Sequence, residues 1–235
     1  MKISVYLCLL LSAVCLSSCH KPSRADQMRR EMAQKDSLQY EQAQQTRVYS
    51  DSVLQNLLPE VDPLLAHFKY EKEDGYEDHG RYVHQLLATN KNTSRNFLQA
   101  YVTDDRRLSV QSYYYGSGGI DQRAIRLSVD EGYVEAEGTN HRFEVEGVHE
   151  VLTLTEQDAL RVLEQVAAHT DSRIKVTLIG KREPIYYLQT NEKEALAETY
   201  RLAVLMRDIA TLEQAIRVSD RQIEKYLRKH KEEGN

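Results

Sequence analysis

Residues 191–231 constrain the fold of this chain more than any other segment, because no glycine or proline interrupts them. Asn191, with Glu194 three residues later, has the spacing of a helix start, which predicts a single helix of about 60 Å. Isoleucine and leucine recur along it in a heptad pattern, which indicates an apolar seam that a partner must cover. We predict that this seam mediates association through Leu202, Leu205, Ile209, Leu212, Ile216 and Ile223.

Three partners fit this seam, and the sequence alone does not choose among them. Isoleucine at the first heptad position and leucine at the second favour a parallel dimer, although Ser219 and Tyr226 interrupt the pattern. The chain's own leading helix has a similar length and is able to pair with it antiparallel. Packing onto the sheet is the third alternative, for residues 196–209. We expect a protein partner or a homo-oligomer through the terminal helix, with self-pairing left open.

The segment that precedes the sheet has a helical pattern. Ser23 and Asp26 have the spacing of a capping pair, and no glycine or proline follows until Pro59. Because proline removes a backbone donor, we expect this helix to end near Leu58 and a short second helix to begin at Pro63. The first half is polar and rich in glutamine, which predicts that it is frayed or depends on a partner.

Between residues 69 and 190 the pattern changes from helical to alternating. Apolar and polar residues alternate at residues 125–129, 133–137 and 142–146, as expected for a sheet with one buried and one wet face. Residues 116–119 and 139–140 have the composition of hairpin turns. The predicted strands lie near 97–103, 107–115, 121–129, 133–138, 141–147 and 149–154, and a further hairpin lies around Asp74-Gly75.

A helix should follow the sixth of these strands. Thr155 and Asp158 resemble a capping box, and an apolar stripe continues to about His169, so this helix is able to cover the apolar face of the sheet. Two more strands are predicted near 173–179 and 184–189. The predicted fold class is α+β: an antiparallel β-meander sheet covered by helix, flanked by a leading polar helix and a long C-terminal helix with heptad character.

The amino end carries a signal of a different kind. After a basic start, an apolar run over residues 3–14 leads to Leu16-Ser17-Ser18-Cys19, which is the layout of a secretory signal peptide. Leu16-Ser17-Ser18-Cys19 resembles the lipobox of bacterial lipoproteins. That resemblance implies cleavage before Cys19 and acylation of its side chain and amino group. The acyl chains would then anchor the protein to a membrane of the cell envelope.

The same resemblance suggests a location and a division of the chain. His20 follows the modified cysteine where an aspartate would favour the inner membrane, so we expect the outer membrane. The predicted segments are a signal peptide at 1–18, a lipidated tether at 19–23, a leading helical segment at 24–68, an α+β sheet domain at 69–190 and the terminal helix at 191–235.

Cysteine use and charge exclude several functions. Cys8 and Cys15 lie in the segment that would be removed and Cys19 would be acylated, so the folded part has no free thiol. Disulfides, thiol catalysis and cysteine-based zinc sites are therefore not expected. The formal net charge is -5, and acids and bases are interspersed, which is unlike the basic stripe of a nucleic-acid-binding protein.

No motif in the sequence indicates catalysis. His79 and His84, like His141 and His149, lack a recognised metal-ligand spacing, and no serine lies in a Gly-x-Ser-x-Gly elbow. The acidic residues around Gly75 indicate an exposed loop rather than a calcium site. We therefore expect no metal, no cofactor and no enzymatic activity.

Tyr113 and Tyr115 are the candidate ligand-binding residues. Consecutive strand residues point to opposite faces, so at least one tyrosine of the run 113–115 should face away from the core. The expected function is a membrane-anchored envelope lipoprotein that acts as a non-catalytic binding or interaction module. The alternative is an envelope enzyme that acts on glycans or cell-wall polymers with a site that motifs do not reveal.

Overall fold

The computed structural model describes residues 23–72, 80–88, 94–130, 132–144 and 147–233. They form a mixed α+β fold with an antiparallel sheet and a long helix at each end, so the predicted fold class is confirmed. None of the described helices combines the length and hydropathy of a bilayer-spanning segment. The elements are α1 (Arg24–Leu65), β1 (Phe68–Lys72), β2 (Gly80–His84), α2 (Gln85–Ala88), β3 (Phe97–Thr103), β4 (Leu108–Gly116), β5 (Ala124–Val129), β6 (Gly132–Glu144), β7 (Val148–Leu154), α3 (Glu156–Ala168), β8 (Lys175–Ile179), β9 (Ile185–Tyr187) and α4 (Thr190–Glu233).

The nine strands lie in the order β1-β2-β3-β4-β7-β6-β5-β8-β9, and all neighbours are antiparallel. Because β4 pairs with β7 and not with β5, residues 117–123 cross over two strands, as in a Greek key. The prediction of a hairpin turn at residues 116–119 is therefore wrong. The glycines start a crossover, and the sheet is not a simple meander at this point.

β6 is one strand of 13 residues, so the predicted turn at Thr139-Asn140 is wrong. Its first half pairs with β5 and its second half, from Gly138, pairs with β7. A Cβ at Gly138 would lie 2.3 Å from the carbonyl oxygen of Thr153, so the close approach of the two backbones requires glycine here. Thr139 and Asn140 continue the pairing between β6 and β7, with Asn140 opposite Leu152.

One face of the sheet carries the core. α3 begins at a Thr155 cap, whose hydroxyl accepts the backbone N–H of Asp158, and packs against β4 and β6. The first half of α4 buries its apolar stripe in the same core, which is the third alternative for residues 196–209. Fully or almost fully buried side chains include Leu98, Val110, Ile125, Leu127, Leu152, Val162, Leu163, Val176, Leu196 and Leu202.

α1 runs through Pro59 and Pro63 to Leu65, so the predicted break after Leu58 is wrong. Each proline removes one intrahelical hydrogen bond, and proline in a helix interior costs about 3 kcal/mol. Packing offsets this cost, because Leu64 is 5% exposed and Leu57, Val61 and Leu65 also pack against the core. The prolines thus predicted a helix end that the folded chain does not have.

The contacts group the chain into two compact units. The sheet unit is Tyr49–Ala215, and the helical unit combines the chain up to Val48 with Ile216–Asn235. In the helical unit, Arg47 lies 2.7 Å from Asp220, Tyr40 stacks on Tyr226 with ring centroids 4.3 Å apart, and Asp36 pairs with Lys229. As the residue numbers increase along α1 from Asp36 to Arg47, the numbers of their partners on α4 decrease from Lys229 to Asp220. The two helices therefore run antiparallel.

A buried carboxylate fastens the β4–β5 crossover to β7. Glu150 is fully buried and accepts the backbone N–H groups of Ile120, Asp121 and Gln122 at 2.8, 3.0 and 2.6 Å. The amide of Asn140 donates a fourth hydrogen bond at 3.1 Å. Burial alone would raise the pKa of Glu150, but these hydrogen bonds outweigh burial and hold it below its ordinary value. The group is therefore an ionised anchor for the crossover.

Glu150→Gln should destabilise the sheet unit by about 2–4 kcal/mol, because an amide NH2 group would face backbone donors that need an acceptor. Urea unfolding followed by circular dichroism measures the change. The matched control is Glu135→Gln, at a half-exposed residue that pairs with Arg126 on the sheet surface. The control should lose less than about 1 kcal/mol. Equal losses in the two variants would contradict the anchoring role.

The same contact predicts a pH dependence. The folded pKa of Glu150 lies below its ordinary value, so its contribution is fully present above the ordinary carboxyl pKa. It is lost as the pH falls through the folded pKa. Glu150→Gln should remove this part of the acid sensitivity, and unfolding curves of both proteins between neutral and strongly acidic pH would show the difference.

The ring stack of the helical unit should be visible as energetic coupling. A double-mutant cycle of Tyr40→Ala and Tyr226→Ala should give a coupling of about 0.5–1.5 kcal/mol, measured by amide hydrogen exchange in residues 24–48. The control cycle replaces Tyr226→Ala with Leu227→Ala, because Leu227 is 53% exposed. A coupling of zero in the tyrosine cycle would mean that the two helices do not pair in solution as described.

Candidate functional site

The tyrosine run of β4 divides between the two faces of the sheet. Tyr114 lies on the covered face, 7% exposed, and its hydroxyl donates to the carbonyl oxygen of Gly118 at 2.8 Å. Tyr113 and Tyr115 lie on the opposite face and are half-buried. The strand period therefore places both predicted binding residues on one surface and directs the middle tyrosine into the core.

Neighbouring side chains fix both rings. Tyr113 stacks on Phe97 with centroids 4.4 Å apart and ring planes 7° apart, and its hydroxyl donates to Gln111 at 2.8 Å. Burial raises the pKa of Tyr113, so its phenol stays a neutral donor. Tyr115 lies 4.9 Å from the ring of His149, measured between centroids. A Cβ at Gly147 would lie 2.7 Å from the Tyr115 ring, so this ring rests directly on backbone.

The rings extend over four adjacent strands. His149 on β7 stacks on Phe143 of β6, with centroids 4.9 Å apart and planes 1° apart. Tyr101 on β3 adds a further ring, and the guanidinium carbon of Arg81, on β2, lies 4.8 Å from the centroid of that ring. Strands are about 4.8 Å apart, so the rings cover about 15 Å across the sheet. We call this surface the aromatic face and define it as Tyr101, Tyr113, Tyr115, Phe143 and His149.

The aromatic face has the chemistry of a binding surface. All five side chains are half-buried except Phe143, which is 46% exposed. Tyrosine, phenylalanine and arginine are the side chains that protein interfaces favour at their centres. The rings are held by the sheet and by each other, so binding would order few side chains. The surface therefore suits recognition better than a single exposed tyrosine would.

The seam residues of the terminal helix lie in both units. Leu202, Leu205 and Ile209 are buried in the core of the sheet unit. Leu212, Ile216 and Ile223 are half-buried, and the last two belong to the helical unit. Association of α4 with another chain stays a prediction. Cys19 and the predicted hairpin at Asp74-Gly75 lie outside the described residues.

A cluster that the sequence did not indicate joins His67, His84 and Glu198. His67 follows α1, His84 ends β2 and Glu198 lies on α4. His67 Nδ1 lies 2.7 Å and His84 Nε2 lies 2.8 Å from the same oxygen, Oε2 of Glu198. His84 is 4% exposed, whereas the side chain of His67 is 54% exposed. The fold thus brings three titratable groups from separate elements to one carboxylate.

Hydrogen bonding assigns the protons in this cluster. Burial would raise the pKa of Glu198, but its hydrogen bonds to His67 and His84 outweigh burial and lower it, so the carboxylate is ionised. An ionised carboxylate only accepts, so His67 Nδ1 and His84 Nε2 both carry hydrogen. The backbone N–H of Leu86 donates to His84 Nδ1 at 3.2 Å. His84 is therefore a neutral imidazole with its proton on Nε2.

This proton arrangement opposes metal binding. The candidate ligand atoms of the three residues all lie within 4.8 Å of one another, which is a suitable spacing for zinc. A metal on His84 Nε2 would, however, move the proton of the ring to Nδ1. That proton would then face the N–H of Leu86. The hydrogen bonds favour a proton-linked cluster over a metal centre.

The exposed histidine is the chemically available member. Nδ1 of His67 is hydrogen-bonded to Glu198 and its side chain is 54% exposed, so a base role for this ring would use Nε2. A carboxylate-oriented imidazole of this kind is able to act as a general base. Among the described residues, no serine, threonine or cysteine hydroxyl or thiol is hydrogen-bonded to His67. Within the described part of the chain, the pair therefore has a candidate base and no hydrogen-bonded nucleophile.

The assigned tautomer is directly measurable. Long-range proton–nitrogen correlation spectra should show His84 protonated at Nε2 near neutral pH, and added Zn²⁺ should leave the His84 signals in place. Leu86→Pro removes the N–H donor but disturbs α2, so Glu198→Gln is the better comparison, because it keeps the size of the side chain. A proton on Nδ1 of His84, together with zinc-dependent shifts of both histidines, would instead identify a metal centre.

No protein-family model, curated protein or solved structure matches this chain.

Proposed function

We propose that this protein is a lipid-anchored component of a bacterial cell envelope that binds a partner protein, without catalysis, on its aromatic face. The aromatic face is the observation that carries the proposal. Four adjacent strands present Tyr101, Tyr113, Tyr115, Phe143 and His149 on the side of the sheet opposite α3. The resemblance of residues 16–19 to a lipobox supports the anchor, and His20 directly after Cys19 supports the outer-membrane location.

The composition of the surface favours a protein over other ligands. Phe97 stacks on Tyr113, and backbone at Gly147 lies against Tyr115, so one side of each of these two rings is already covered. At the margin, Arg81 places its guanidinium over Tyr101 and pairs with Glu71 at 3.3 Å, so it adds a paired, largely buried charge to the surface. Aromatic rings with an arginine at the margin are the usual composition of hot spots between proteins.

The rival function is an envelope enzyme, and one observation favours it. Glu198 orients His67 as a general base would be oriented. Catalysis needs a substrate site and a second reacting group as well, and the described contacts of His67 include neither. The two functions differ in what His67→Ala should do: a binding module keeps its partner, whereas an enzyme loses its reaction.

Capture of the partner from envelopes tests the proposal. A photoreactive phenylalanine analogue at position 143 of the acylated protein should cross-link a protein neighbour, which mass spectrometry identifies. With the identified partner, Tyr115→Ala together with Phe143→Ala should weaken binding by about 30-fold or more, the effect of losing about 2 kcal/mol at a hot spot.

The matched control is Tyr49→Ala, because Tyr49 is a 70% exposed tyrosine on α1. It should bind as the parent does, and the melting temperatures of all variants should stay close. Equal binding by the double variant and the parent would remove the aromatic face as the site. Cross-linking to a glycan and to no protein would contradict a protein partner.

A further inference from the structure

In the described part of the helical unit, α4 ends before it reaches the beginning of α1. Asp36 lies against Lys229 and Tyr40 lies against Tyr226. Moving towards the start of α1 therefore corresponds to moving towards the end of α4. The last described residue of α4, Glu233, then falls opposite about Met32. Among the described residues, no part of α4 lies opposite residues 24–31.

This part of α1 presents an apolar and mainly basic stripe. Met28 and Met32 are 53% and 57% exposed, although methionine is an apolar side chain. Arg24, Glu31 and Lys35 continue the same stripe at helical spacing, and Arg29 lies beside it, all four exposed. Two apolar side chains flanked by three bases and one acid, Glu31, give residues 24–35 the apolar and mainly basic stripe of a helix that lies on a membrane surface.

The charge of the chain is divided between its units. Residues 23–48 and 216–233 hold 11 lysines and arginines and eight aspartates and glutamates, whereas residues 49–215 hold 18 and 28. The formal charge is thus +3 in the described helical unit and -10 in the sheet unit. An anionic surface would attract the first and repel the second.

We infer that residues 24–32 and Lys35 bind an anionic phospholipid surface directly, as a second attachment beside the acyl chains. The inference rests on the lipid anchor of the proposed function, because Cys19 precedes Arg24 by five residues and would hold it within about 18 Å of the bilayer. Each lysine or arginine near an anionic membrane adds about 1 kcal/mol to binding.

A second copy of the chain is a less suitable occupant. Two copies that meet through this stripe would bring Arg24, Arg29 and Lys35 of one chain towards the same bases of the other, and like charges repel. Phosphate headgroups carry the complementary charge, and the acyl region below them accepts the methionines. Charge and apolar exposure therefore agree on a lipid surface.

Vesicle binding of unacylated protein tests the inference apart from the anchor. The mature chain with Cys19→Ser, made without residues 1–18, should sediment with vesicles of phosphatidylglycerol and phosphatidylethanolamine and not with vesicles of phosphatidylcholine. High salt should release it. Arg24→Glu together with Arg29→Glu should lower the partition coefficient by about 30-fold or more.

The matched control reverses two exposed lysines of β1, Lys69→Glu with Lys72→Glu, which changes the net charge equally. It should bind the vesicles as the parent does, and circular dichroism should show the same helicity in all three proteins. Equal loss of binding in both double variants would reduce the effect to net charge and overturn the inference.

Two other outcomes also overturn it. One is the absence of binding to phosphatidylglycerol vesicles, and the other is a dimer in sedimentation equilibrium that Arg24→Glu with Arg29→Glu dissolves. The anchor is tested separately, because mass spectrometry of the protein from native envelopes shows whether Cys19 is acylated. An unmodified amino end would contradict the acyl anchor, and the vesicle experiment would still decide whether residues 24–32 bind anionic lipid.

Discussion

The buried carboxylate of Glu150 is the contact on which the arrangement of the sheet depends. Three backbone N–H groups of the β4–β5 crossover have no strand partner, and they converge on this one group. Gln122 turns its amide inward to Ser112 at 2.8 Å, so the crossover is tied to β4 as well as to β7. A Cβ at Gly119 would lie 2.7 Å from the carboxylate, which explains the glycine there. The crossover in turn allows β7 to pair with β4. That pairing sets Tyr115 opposite His149 and thereby builds the aromatic face.

Local sequence signals predicted the elements better than their connections. The alternation at residues 125–129 and the capping box at Thr155 were sufficient for a strand and a helix, because each depends on a period or on one hydrogen bond. The signals at Pro59, at residues 116–119 and at Thr139-Asn140 were misleading. In each case a tertiary interaction outweighs the local signal. Apolar packing of α1 keeps the helix intact at Pro59, the Glu150 carboxylate holds the crossover after residues 116–119, and strand pairing on both halves keeps β6 continuous through Thr139-Asn140. None of these interactions has a local signature.

The candidate sites divide in the same way. Tyr113 and Tyr115 were recognisable because a strand alternates its faces, and the alternation holds wherever β4 sits in the sheet. Their aromatic neighbours Phe143 and His149 depend on the strand order, which the sequence did not provide. His67, His84 and Glu198 were beyond sequence reasoning, because 17 and 114 residues separate them and three elements must meet before one carboxylate receives both imidazoles. A spacing rule finds ligands on one element, not on three.

The heptad pattern of α4 illustrates why a periodic seam does not name its partner. Periodicity records that one side of a helix is covered, and any apolar or aromatic surface is able to cover it. Here the seam changes partner along its length: Leu202 and Ile209 lie in the core of the sheet unit, and Tyr226 stacks on Tyr40 of α1 in the helical unit. The departures from the pattern follow from this change. Tyr226 replaces leucine where the partner is another tyrosine, and Ser219 is a small side chain that is only 3% exposed. A parallel dimer would place identical seam residues against each other, and neither departure would then have a reason in packing.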